Sequence, residues 1–225
     1  MEGMFLKCHS LTSLDMSSFN TPSLTTMKFM FKDCYSLTSL DLSNLDTSKV
    51  NFMVSTFNNC TSLKYLDISN FDTSSVLSML SMFSFCNSLT SLDLSHFNTS
   101  LVVAFSQMFN GCISLISINL SNFNLSSCGL MGLMFCNCTS LEYINISNLL
   151  EVDPQLIANN MSDGVPDNLV FCSNNIDNIP KIFEQLQNKK CPINDCSSNW
   201  KKNQKIFIEE NDTCVNECSE QGMYE

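Results

Sequence analysis

Apolar and polar positions along this chain recur with a single period. Cysteines stand at Cys8, Cys34, Cys60, Cys86, Cys112 and Cys138, each 26 residues after the last. The residue three places before each is a phenylalanine: Phe5, Phe31, Phe57, Phe83, Phe109 or Phe135. Methionine precedes it at Met4, Met30, Met82, Met108 and Met134, with Thr56 the exception. Leu11, Leu37, Leu63, Leu89, Leu115 and Leu141 follow the cysteines, and then Leu14, Leu40, Leu66, Leu92, Ile118 and Ile144. A period of this size marks units that bury their apolar faces only against their neighbours.

Inside a unit the pattern changes. Leu40 and Leu42 alternate with Ser39, Asp41 and Ser43, the period-2 signature of a strand with one buried face. A small polar cluster follows, such as Asp46-Thr47-Ser48, suited to a turn and a helix N-cap. Val50, Met53, Thr56, Phe57 and Cys60 then fall at helical spacing and predict a short helix.

The expected fold is an α/β repeat. It is a right-handed solenoid with a parallel sheet on one face, short helices on the other and strands about 4.8 Å apart, followed by a Cys-rich C-terminal tail. Six coils occupy residues 1–157, a degenerate last coil and helical cap residues 158–190, and the tail residues 191–225. Counting 26 on from Ile144 and Ile146 reaches Val170 and Cys172 and predicts a seventh strand there. The cap is a helix opened by Asn178 and Pro180, with Ile182, Phe183 and Leu186 on one face. The chain begins in mid-unit at Met4-Phe5, which points to a truncated N-terminus.

The unit M-F-x-x-C-x-S-L-x-S-L-D-L-S-x-F, nearly whole from Met82 to Phe97, resembles the BspA-like leucine-rich surface repeat, over roughly residues 4 to 157. That resemblance implies a leucine-rich-repeat fold, display on a cell surface and adhesion to a protein or glycan on another cell or matrix. It implies no catalytic residues.

Charge and composition narrow the partners. With a net charge of −11, nucleic acid is excluded as a partner on electrostatic grounds. No apolar run reaches the roughly 18 to 20 residues of a membrane span, and the N-terminus lacks the features of a signal peptide. Two features nevertheless argue for an extracellular or cell-surface location, with signal and anchor outside this chain. One is a set of N-x-S/T sequons, of small weight in a chain so rich in Asn, Ser and Thr. The other is the tail, where Cys191, Cys196, Cys214 and Cys218 are disulfide candidates for a core-poor segment in an oxidising compartment. A four-thiolate zinc site and free thiols stay open as alternatives there, although the C-x4-C and C-x3-C spacings fit zinc poorly. The cysteine column itself reads as buried, unreactive thiols packed as small apolar groups.

The outward strand face is the candidate binding surface, with Asp15, Asp41, Tyr65, Asp67, Asp93, Asn119, Tyr143 and Asn145 as its candidate residues. Four stacked aspartates repel by about 0.9 kcal/mol per neighbouring pair in water and about 3.5 at an effective dielectric of 20. Either solvent, hydroxyls and amides satisfy them, or the face is a cation-seeking patch for a basic partner. Tyr65 and Tyr143 are the amphipathic side chains suited to anchoring an interface. His9 and His96 occupy different repeat positions and no phosphate-cradling glycine loop exists, so no enzyme activity and no cofactor are expected. The favoured reading is a non-catalytic adhesion or recognition module. The alternative is a spacer or stalk about 30 Å long that positions other domains, calcium-stabilised in one version.

Overall fold

A computed structural model describes residues 1–145, 159–167, 169–172, 206–208 and 213–215. Its strands are β1 (Ser39–Asp41), β2 (Tyr65–Asp67), β3 (Ser91–Leu92), β4 (Ser117–Asn119), β5 (Tyr143–Asn145), β6 (Val170–Cys172), β7 (Ile206–Ile208) and β8 (Thr213–Val215). β1 pairs with β2, and β3 to β6 form a second parallel sheet in sequence order. β7 and β8 make a separate antiparallel pair. The expected cap helix at 178–186 lies outside the described residues, as do Cys191, Cys196 and Cys218; Cys214 falls in β8.

The expected α/β solenoid with short helices is corrected by these observations. None of the described residues is helical, and the strands are only two or three residues long, with β1 to β6 split between two small parallel sheets. The segment read as a helix is a run of turns instead. In residues 27–34, the amides of Met30, Lys32 and Cys34 donate three residues back, to Met27, Phe29 and Phe31. The alternate amides of Met27, Phe29, Phe31 and Asp33 donate to the next unit, at Phe52, Val54, Thr56 and Asn58. Phe29 and Asp33 have positive φ (57° and 62°), as the third position of a type II turn requires, and this reversal interrupts any helix. The same φ recurs at Ser55 and Asn59, Ser81 and Phe85, Gln107 and Gly111, and Leu133 and Asn137.

Register between units is 26 residues almost throughout. Ser39, Leu40 and Asp41 lie opposite Tyr65, Leu66 and Asp67, and Ser117 lies opposite both Ser91 and Tyr143. A second column of single bridges joins Thr26, Phe52, Ser78, Ala104 and Leu130. The seventh strand forms where it was expected, but one residue out of step: Tyr143 pairs with Val170 and Ile144 with Phe171. The unit leading to β6 is therefore one residue longer than the others.

This register turns like residues into interior columns. Phe5, Phe31, Phe57, Phe83, Phe109 and Phe135 stack ring on ring, with centroids 5.2 to 5.7 Å apart and planes within 7°. All but Phe5 in that column are fully buried, with the cysteine, methionine and leucine columns beside them. The thiols of Cys34, Cys60, Cys86, Cys112 and Cys138 each donate to the carbonyl of the phenylalanine 29 residues earlier, at 3.1 to 3.2 Å. Burial pushes the Cys34 thiol up to about 11 and that of Cys112 to about 12. Cys128, off the column, is also buried and pushed up to about 11.

Candidate partner-binding face

The strand face is built largely from small polar residues. Ser39, Ser91 and Ser117 enter the strands, and Asp41, Asp67 and Asn119 leave them. Each Asp or Asn closes a tight turn by accepting from the amide two residues on. The pairs are Asp15 with Ser17 (2.9 Å), Asp41 with Ser43 (2.9 Å), Asp67 with Ser69 (3.0 Å), Asp93 with Ser95 (2.9 Å) and Asn119 with Ser121 (3.0 Å). These are Asx turns, in which the side chain mimics a backbone turn and ends the strand. The Ser69 hydroxyl and amide hold the Asp67 carboxyl below its ordinary range, and the Ser95 amide and hydroxyl do the same for Asp93. Asp67 and Asp93 are thus ionised at neutral pH, and one oxygen of each carboxylate is tied to its own turn.

The two tyrosines part company. Tyr65 is 58% exposed, and its hydroxyl donates to Asp67 Oδ2 at 3.3 Å. The Asp67 carboxylate holds that phenol above its ordinary range. Tyr143 and Asn145, expected on the outer face, are buried at 6% and 8% exposure. Among the candidates, the structure brings together Tyr65, Asp67 and Asp93 on one stretch of surface, with Asp41 opposite Asp67 and Asn119 nearby.

That stretch coincides with the break in the sheet. β2 and β3 are successive units yet do not pair, while the bridges at Phe52, Ser78 and Ala104 and the Phe57–Phe83 stack run on unbroken elsewhere in the same units. The units therefore part on the strand face alone. An open depression of about 560 Å³ lies there, with Lys64, Tyr65, Leu66, Ser91, Asp93 and Asn119 among its walls. A smaller one of about 200 Å³, walled by Tyr65, Asp67, Ser69, Asp93 and His96, adjoins it through Tyr65, Leu66 and Asp93.

His96 and Leu66, which the sequence places in repeat columns, and Lys64 were not among the expected binding residues of this face. In the 26-residue alignment His96 takes the place of Asn44, Asn70 and Asn122. The asparagines donate a side-chain N–H to a carbonyl of the preceding unit, those of Met16, Ser43 and Ser95, and His96 Nε2 lies 3.0 Å from the carbonyl of Ile68. An imidazole doing an asparagine's work was a signal in the alignment. The break in the sheet had none. His9 instead stacks on Tyr35 at 4.8 Å, remote in the repeat from His96.

Among the described residues no cluster of His, Cys, Asp and Glu has the form of a metal site, and no helix is long and apolar enough to cross a membrane. No curated protein matches the chain. The family model described as "Mycoplasma protein of unknown function, DUF285" matches residues 1–89 and, overlapping, 38–149. With the repeat region covered from its first unit to its fifth strand, the chain belongs to that family.

Proposed function

We propose that the chain is a non-catalytic recognition module of the BspA-like surface-protein kind, and that it binds a protein or glycan of another cell or matrix through its strand face. The observation that carries this reading is the exposed Tyr65 set in an open cleft, on a face otherwise made of small polar side chains. A large, rigid, amphipathic side chain amid small neighbours is the arrangement that anchors interfaces, because it brings contact area with little rotamer entropy to lose. An extracellular or surface location fits the resemblance of the repeat and the cysteine-rich tail.

The test is binding of the fluorescently labelled chain to intact cells and to immobilised matrix proteins. Tyr65→Ala with Asp67→Asn should reduce binding at least tenfold at unchanged melting temperature. Leu101→Ser with Val103→Ser, at exposed residues beside the bridge column, should not. Loss confined to the second variant moves the site to that column. Binding by no variant and not by the wild type leaves the spacer reading in its place.

A further inference from the structure

We infer that the cleft between β2 and β3 is a receptor for an arginine side chain of a protein partner, its guanidinium stacked on Tyr65 and paired with Asp93 and Asp67. This deepens the proposed function and rests on it. The cleft is the one place among the described strands where successive parallel neighbours fail to pair, and both of its depressions share Tyr65, Leu66 and Asp93.

The chemistry of the walls selects the occupant. Half-buried Leu66 and the exposed Tyr65 ring both line the larger depression, offering an apolar and aromatic surface to a flat group. Asp67 and Asp93 supply negative charge at the second depression, and the Asx turn at Asp93 engages only Oδ1. A guanidinium is planar, stacks on aromatic faces and meets a carboxylate with two parallel N–H donors, whereas an ammonium is compact and strongly hydrated. An anionic or purely apolar ligand would meet the two carboxylates unfavourably. The long-range field agrees: from residue 65 to residue 180 the sequence contains no lysine or arginine, and the one basic side chain in that span, His96, faces Asp93 from the wall of the smaller depression. Lys64, on the lip of the larger depression, is the nearest cation in sequence and sets the edge of the acidic surface. His96 completes the wall and ties the two lips together through the Ile68 carbonyl.

The experiment titrates the full, isotopically labelled chain with Nα-acetylarginine amide, and in parallel with the citrulline analogue, which keeps the shape and loses the charge. Amide shifts should concentrate at Tyr65–Ser69 and Ser91–His96 for arginine and be absent for citrulline. Asp93→Asn should weaken the arginine response at least fivefold; asparagine already serves the same turn at Asn119, so the fold is kept. Tyr65→Phe, which retains the ring, should bind within twofold of wild type. Equal shifts with citrulline, shifts spread evenly to Asp15 and Asp46, or an unchanged response in Asp93→Asn would each overturn the assignment. If arginine gives no cleft response while Tyr65→Ala with Asp67→Asn still abolishes cell binding, the guanidinium assignment falls and the strand face stands. If that double variant also binds cells normally, both fall.

Discussion

Thr73 shows how single side chains hold neighbouring units together. Its buried hydroxyl accepts from the Asn98 amide at 2.8 Å and donates to the Asn98 carbonyl at 2.9 Å, 25 residues along the chain. Thr47 does the same for Asp72 and Thr99 for Asn124. One hydroxyl thus satisfies two backbone groups that the short strands leave without a ladder partner. Thr73→Val fills the same volume but strands both groups in the interior, so it should cost about 1–3 kcal/mol in denaturant unfolding. Thr73→Ser, which keeps the hydroxyl, should cost clearly less. The cysteine column adds a pH dependence. Buried thiols have folded values raised above the ordinary 9.0, so their contribution is complete below pH 9. It is lost as pH rises towards about 12, because only the unfolded chain then ionises freely. The denaturant midpoint should therefore fall from pH 8.5 to about pH 11, and less steeply in Cys112→Ser, which keeps a donor and removes the titration.

At the scale of elements, the sequence was readable in its columns and misleading in its local conformation. Met27, Met30, Phe31 and Cys34 sit at the spacing of one helical face, and all four are buried. A run of turns that repeats every three to four residues puts the same positions inward, so hydrophobic periodicity cannot separate the two. The distinguishing signal was in the polar columns. Asp33, Asn59, Gly111 and Asn137 occupy one column, and these residue types tolerate positive φ. Gly111 also makes room for a neighbour, since a Cβ there would lie 2.5 Å from Phe85 Cδ1. Gly111→Ala should destabilise by about 1 kcal/mol or more through backbone strain and this crowding, whereas Ser55→Gly, at φ 51°, should be neutral or slightly stabilising. Thermal unfolding of the pair gives the two signs directly. The strand face was legible as a row of Asx residues, but the burial of Tyr143 and the parting of β2 from β3 depend on packing between units, which no local pattern encodes.

For the whole molecule, the consequence is a division of labour around each unit. The interior columns and the turn hydrogen bonds run unbroken from unit to unit and fix the spacing. The strand face, with only two or three paired residues per unit, can part locally without disturbing them. That is how a highly repetitive chain acquires one distinctive surface feature, and it is why Tyr65, Asp67 and Asp93 rather than the whole acidic column carry the proposed recognition.

The register of the units underlies every step of this account, and cross-linking of introduced cysteines on the exposed strand face measures it. A bifunctional thiol reagent spanning about one strand spacing, 4.8 Å, should join Ser39→Cys to Tyr65→Cys efficiently, with the linkage located by peptide mass spectrometry. Tyr65→Cys paired with Ser91→Cys, across the break, should join far more slowly. Equal rates across both pairs would erase the cleft, and preferred joining of position 39 to position 64 or 66 would contradict the 26-residue register itself.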